Sequence, residues 1–249
     1  MEQVVKSAGR VLEIFEFFAH RHAPATVSEV ASALGFPLSS TSVLLKSLRS
    51  LGYLDHDPRT RDYAPTIRFA VLGTWIFERF FAGEEAIPRL MDELQAETGE
   101  TIVLAMQHGI HVDYIRILQS TRPVRFHIRP GSRRPIHLPA AGKVLLAQQR
   151  DEDVAAVIRR VNAARGNAKP VQLKAFLAEM AEIRLHGHAR SEASVVPDTA
   201  QLAIALPVAS GHRPLAIAVS GPLGRMRKEA KSYLKALRLK VAALSAPHA

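Results

Sequence analysis

The stretch Thr26–Leu54, TVSEVASALGFPLSSTSVLLKSLRSLGYL, decides how the chain is read. Thr26 is placed to cap a helix, and Glu29 three residues on completes a reciprocal capping box. Val27, Val30, Ala31 and Leu34 then fall on one helical face. Gly35 suits the left-handed residue that closes a helix, and Pro37 prevents its continuation. A second helix opens among Ser39, Ser40, Thr41 and Ser42, with Leu44, Leu45, Leu48 and Leu51 as its inward stripe and Gly52 at its end. Two short helices joined by a glycine-containing turn have the geometry of a helix-turn-helix, whose second helix enters the DNA major groove. Ser39, Ser40, Thr41, Ser42, Lys46 and Arg49 are left outside, and no acid falls between Pro37 and Gly52. Such a face approaches phosphates and base edges without repulsion. An ordinary helical hairpin with a solvated polar face carries the same pattern.

The residues just beyond Leu54 favour DNA. Tyr53–His56 and Arg61–Ala64 read as extended segments around the turn Asp57-Pro58-Arg59-Thr60, with proline at its second position. A hairpin tipped by Arg59 and Arg61 directly after the second helix is the wing of a winged helix, and its arginines would sit against flanking phosphates or the minor groove. Before the helix pair, residues 7–19 form a first helix, with Val11, Leu12, Ile14, Phe15 and Phe18 apolar, that would pack behind it. After the wing, Thr66 caps a helix that is apolar on nearly every face: Phe69, Leu72, Trp75, Ile76, Phe77 and Phe80 stand among its large side chains. A helix of this kind must be buried on more than one side. A second copy of the chain is the favoured cover, because symmetric dimers read two-fold DNA sites; the chain's own second domain is the other.

That second domain is expected from residue 85. Its helices are read at Ile87–Thr98, Ala140–Gln149, Asp153–Val161, Leu173–His186 and from Arg227 to Leu244. Its strands are read at Thr101–Met106, Val112–Leu118, Val124–Ile128, Ser194–Val196, Leu202–Val208 and Leu215–Ser220. Hairpins separated by helices give an α+β domain with a mostly antiparallel sheet.

Composition bounds the function. The 249 residues suffice for two domains, and 47% hydrophobic with 22% charged residues is ordinary for a globular chain. Without cysteine there is no disulfide, thiol catalysis or cysteine metal site. No apolar run spans a membrane, and the acids Glu2, Glu13 and Glu16 near the start argue against a signal peptide, so a cytoplasmic protein without a membrane partner is expected. The net charge of +10 fits a nucleic-acid partner, but residues 1–80 carry nine Lys and Arg against eight Asp and Glu. The DNA reading therefore rests on motif order and local charge.

The whole pattern resembles an IclR-family transcriptional regulator. PGSRRPIHLPAAGKVLLA, Pro130–Ala147, is similar to the family's strand-to-helix signature, and LHGHARSEASVVPDTAQLAIALPVASGHRPLAIAVSGPLGRM, from Leu185, is similar to its closing sheet. The resemblance implies a winged helix-turn-helix in residues 1–65, a linker and dimerisation helix in 66–84, and a GAF-like effector-binding domain in 85–249. It further implies a ligand-responsive regulator of a catabolic operon, acting on double-stranded operator DNA as a dimer or dimer of dimers and not as an enzyme. This sequence departs from the family at Leu38 and Val43, where lysine and arginine are frequent, and at Ala218, where some members have serine.

The effector expected is a small organic acid, with aromatic acids among the candidates. Ala140, Ala141 and Gly142 are small enough to let a carboxylate reach the unpaired N–H groups of a helix start. By the resemblance, Ile204, Leu206, Ala218 and Ser220 would line the facing strands; as ordinary sheet-core residues they would read the same way. No cofactor, catalytic set or metal site is expected. His186 and His188 share a face if extended but have no third ligand at a suggestive spacing, Gly221-Pro222-Leu223-Gly224 lacks the ending of a phosphate loop, and the cluster Arg122, Arg125, Arg129, Arg133 and Arg134 suits a solvated or subunit-contact face. The competing class is a small-molecule enzyme or binding protein whose helical N-terminus serves only assembly.

Overall fold

A computed structural model gives the structure of residues 5–73, 86–129, 131–166, 168–207 and 213–244. The chain falls into two units, Met1–Ala82 and Gly83–Ala249.

In the first unit the order is α1 (Lys6–Arg21), β1 (Ala25–Thr26), α2 (Val27–Leu34), α3 (Leu38–Ser50), β2 (Leu54–His56) and β3 (Asp62–Pro65), with residues 67–73 helical (α4). The capping box at the start of α2 is formed from both sides: the Glu29 N–H donates to Thr26 Oγ1, and the Thr26 N–H donates to Glu29 Oε2 at 2.8 Å. Gly35 closes α2 at φ 65°, where glycine carries no Cβ penalty. Ile14, Phe15, Phe18, Val30, Leu45, Leu48, Leu54 and Tyr63 form one core joining the three helices to the hairpin. The wing sheet has a third strand that local pattern does not reveal. β1 pairs with β3, giving the antiparallel order β1-β3-β2.

The second unit contains α5 (Ala86–Thr98), β4 (Thr101–His108), β5 (His111–Leu118), β6 (Arg133–Pro135), α6 (Ala140–Ala147), α7 (Asp151–Ala164), α8 (Leu173–His186), β7 (Ala189–Glu192), β8 (Thr199–Ala205), β9 (Leu215–Pro222), α9 (Leu223–Lys228) and α10 (Ala230–Leu244). Its six strands form one antiparallel sheet in the order β6-β5-β4-β9-β8-β7. Period-2 alternation divides the strands between two faces. Val103, Ala105, Val112, Ala203, Ala216 and Ala218 turn toward α6, α7 and α8 and share their core. Ile102, Leu104, Leu202, Ile204, Ile217 and Val219 are buried on the other side, where α5 and α10 pack together.

Two expected strands are absent. Val124–Ile128 is irregular, and β6 further on pairs with β5 instead. Ser194–Val196 is a bend, and the edge strand is Ala189–Glu192. No helix among the described residues is long and apolar enough to cross a membrane.

Candidate functional site

The outer surface of α3 is set by its buried stripe. Thr41, Leu45 and Leu48 face the core, which leaves Ser39, Val43, Lys46, Ser47 and Ser50 directed away from it. The start of α3 and the wing meet in an open groove lined by Leu38, Ser39 and Ser42 from α3, Thr60 and Arg61 from the wing, and Thr26, Val27 and Ser28 from the start of α2. Lys46, Arg49, Arg59 and Arg61 are exposed. Arg61 is in the left-handed region at φ 63°, an uncommon conformation for a side chain of its size. It closes the tip through its N–H to Asp57 O at 2.7 Å.

One expected contact residue is misplaced. Thr41 has 0% exposure, and its hydroxyl donates to Pro37 O at 3.0 Å. It opens the buried stripe one turn before Leu45, so it belongs to the core and is removed from the DNA-facing set. Ser40 is half-buried, and its hydroxyl is also donated to Pro37 O. Ser39 and Ser42 remain on the groove.

In the second unit a cavity of about 120 Å³ opens on the α6 side of the sheet. Its floor is a polar row across three strands: Thr101 pairs with Ser220, and Ser220 with Gln201. Gln201 Nε2 donates to Ser220 Oγ at 2.9 Å and lies 3.3 Å from Tyr114 Oη. Burial raises the Tyr114 pKa, partly countered by the Gln201 hydrogen bond. Phe126 and Ile128, from the irregular segment before β6, supply one apolar wall, and Val195 and Val196 another. Arg134 reaches the cavity from β6 and, among the described residues, has no carboxylate partner; its guanidinium makes one long contact, 3.4 Å to Arg133 O.

The start of α6 is beside this cavity but is not open to a ligand. The Ala140 N–H donates to Ser191 Oγ at 3.0 Å, and the Ala141 N–H to Gln201 Oε1 at 2.9 Å. Gly142 serves packing: a Cβ there would lie 2.0 Å from Ile136 O. The expected carboxylate donors are thus taken up by buried side chains of the neighbouring strands. Ile204 and Leu206 lie away from the cavity for a different reason. The register Ala203↔Ala218 and Gln201↔Ser220 puts the even positions of β8 on the opposite face, and Ile204 and Leu206 line a separate groove with Gln148, Gly187 and Arg238. Ala218 is on the correct face but under α6 in the core, so Ser220 alone of the seven residues reaches the cavity. Gln201 and Ser191, polar and buried at inward positions of β8 and β7, were the overlooked signal.

Two other buried polar groups belong to this unit. Glu100, with 0% exposure, is held by Arg225 Nε and, at 2.9 Å, Nη2, and accepts from Tyr233 Oη at 3.2 Å. His137 is held by burial, with Arg165 and Lys143 adding to the effect, at a pKa of about 4, so the ring is neutral at pH 7 and can accept from Arg165 Nη1 at 3.0 Å. His186 and His188 have ring centroids 6.2 Å apart, and no group of three or more metal-ligating side chains occurs among the described residues. Of the expected self-association residues, Trp75, Ile76, Phe77 and Phe80 lie outside the described residues. Phe69 stacks on Phe15 at 4.2 Å yet is 44% exposed, and Leu72 is 50% exposed.

Comparison with known proteins fits both halves. A model of the IclR helix-turn-helix domain matches residues 7–58, and a model of the bacterial transcriptional regulator IclR C-terminal region matches residues 84–246. The chain is 29% identical over 227 residues to SauR of Cupriavidus necator, described as a probable transcriptional regulator, covering 88% of this chain and 87% of the relative. It is 26% identical over 237 residues to the HTH-type transcriptional regulator KipR of Bacillus subtilis, covering 94% and 93%. Its fold matches that of an IclR transcriptional regulator of Alicyclobacillus acidocaldarius with a TM-score of 0.74 at 21% identity, over 98% of each chain. It also matches an IclR homologue of Microbacterium hydrocarbonoxydans, solved with 4-hydroxybenzoate, with a TM-score of 0.70 at 17% identity over 95% and 96% of the two chains.

Proposed function

The chain belongs to the IclR family of bacterial transcriptional regulators, and from that premise we propose that its DNA binding is governed by a small organic acid held in the cavity over Gln201. The relatives are described as transcriptional regulators, SauR as a probable one, rather than as enzymes. In this reading α3 enters the major groove of a two-fold operator with Ser39, Ser42 and Lys46 foremost, and Arg59 and Arg61 hold the flanking backbone. Residues 66–84 connect a DNA-binding part, 1–65, to an effector-binding part, 85–249. Self-association as a dimer or dimer of dimers involves the apolar side of that connector, including Phe69 and Leu72. The regulated genes would be a catabolic operon whose substrate or intermediate is the acid.

The observation that carries the effector reading is Arg134, without a carboxylate partner among the described residues, beside a cavity with an apolar wall and a buried polar floor. A carboxylate pairs with the guanidinium. A ring or short alkyl body covers Phe126 and Ile128, and a polar group at its far end reaches Gln201, Tyr114 and Ser220. The IclR homologue solved with 4-hydroxybenzoate holds a small aromatic acid. For the ligand to regulate, the two DNA-binding states must differ in affinity for it.

The test is a thermal-shift screen of aromatic and aliphatic acids beside their neutral amides, repeated with Arg134→Leu. Acids should raise the melting temperature of the wild type, amides should do so far less, and the variant should lose the difference. A chain that no acid stabilises, or a variant that responds as the wild type does, overturns the assignment.

A further inference from the structure

On the outward surface of α3 the polar inventory is short. Thr41 faces the core; the hydroxyl of Ser40 is donated to Pro37 O, and that of Ser47 to Val43 O at 2.9 Å. Among the described residues this leaves Ser39 and Ser42 with uncommitted hydroxyls near the start of the helix, followed by Lys46. Flanking them are two large apolar side chains: Leu38 is 56% exposed and Val43 is 63% exposed. Val43 lies one turn after Ser39 and one turn before Lys46 and Ser47, at the middle of the face directed away from the core. Leu38 lines the groove shared with Thr60 and Arg61 of the wing.

An exposed valine alone signifies little. Here the surroundings specify the occupant. No acid falls between Pro37 and Gly52, and Lys46, Arg49, Arg59 and Arg61 are exposed on α3 and the wing, so the face is complementary to a polyanion. In a DNA major groove the thymine C5-methyl is the apolar feature of a base edge. A side chain with no donor or acceptor cannot pair with guanine N7 or adenine N6; contact with a methyl group is the base-specific interaction open to it. We propose that Val43, assisted by Leu38, is a specificity-determining residue that reads thymine methyl groups in the operator half-site. The proposal rests on the DNA-binding reading above and adds the chemistry of the recognised base.

The experiment uses the full chain. Duplexes bound from a randomised pool are sequenced, and in the enriched site each thymine is replaced in turn by deoxyuridine, which removes the methyl and leaves pairing intact. Wild type should lose affinity at one or more positions by about fourfold, the factor expected from leaving one methyl group unburied. Val43→Ala should bind the thymine site more weakly and be indifferent to uracil at that position, whereas Val43→Thr, which keeps one methyl and the branched shape, should retain part of the response. Val43 is exposed, so neither variant disturbs the core. Uracil that changes wild-type affinity nowhere, or a Val43→Ala chain that keeps the full methyl response, overturns the proposal. So does a Val43→Ala chain that changes its oligomeric state while keeping that response, since a second copy would then cover the face. If the pool yields no enriched sequence, the DNA-binding reading itself fails, and that outcome is distinguishable from the others.

Discussion

Arg61 combines two properties that separate under mutation. Its charge is placed at the wing tip, and its backbone is held at φ 63°, where a side chain costs about 1–2 kcal/mol relative to glycine. A residue chosen for stability at this position would be glycine, as at Gly35 and Gly109. Arg61→Gly is therefore expected to stabilise the first unit, by up to about 1 kcal/mol, while weakening operator binding. Arg61→Ala should weaken binding equally without the gain, because alanine keeps the Cβ. Urea midpoints and operator titrations of the two variants decide the matter. A glycine variant that binds DNA as well as wild type would show that the guanidinium is not on the duplex.

At the scale of the element, the start of α6 is small in sequence yet closed to a ligand in the structure. The small residues at its start were legible as a place of close approach. What approaches is the chain itself, through Ile136 O, Ser191 and Gln201, because those partners come from strands whose register is set by long-range pairing. Glycine inside a helix is normally destabilising by about 1 kcal/mol relative to alanine. For Gly142→Ala the sign is reversed: the added Cβ meets Ile136 O at 2.0 Å, so the variant should be less stable by about 1–3 kcal/mol, the range of overpacking. Gly224→Ala in α9, with nothing within 4 Å, is the control and should be neutral or stabilising. A Gly142→Ala chain with an unchanged urea midpoint would mean that α6 does not press on the β6–α6 connection.

The same distinction separates what was legible elsewhere. Capping at Thr26, closure at Gly35 and the stripe of α3 are short-range features, and the first unit could be read from them. Thr41 stands at helical spacing before Leu45 and Leu48, so its place on the inward stripe was legible; its hydroxyl, grouped with those of Ser39, Ser40 and Ser42, masked it. In the second unit, helix and hairpin positions were legible, but the strand order and the face of Ile204 were not, since a shift of one residue in register exchanges the faces of a strand. Val124–Ile128 alternates apolar and basic residues as a strand does, yet Phe126 and Ile128 face a cavity rather than a sheet core. The edge strand β7, ARSE, has three polar residues in succession and lacks the β-branched residues that mark a strand.

For the whole molecule the issue is where its positive charge acts. Of the net +10, residues 1–80 contribute only +1, so most of the excess belongs to the second unit. If specific binding rests on α3 and the wing, it involves Lys46, Arg49, Arg59 and Arg61, four cations per chain. Counterion release then gives a slope of log affinity against log salt of about −3.6 per chain, or roughly −7 for two chains on a two-fold site. Arg125 and Arg129 are exposed on the second unit and test the alternative. Titrations of operator and of unrelated duplex across a range of salt, for wild type and for Arg125→Ser with Arg129→Ser, separate the two. On operator the double variant should keep the wild-type slope, whereas Arg61→Ala should flatten it by about 1 for each chain bound. A steeper wild-type slope that falls in the double variant would show that the second unit also contacts the duplex. The pI would then report a DNA-binding surface larger than the winged helix, and the basic cluster around Arg125 would have to be counted with it.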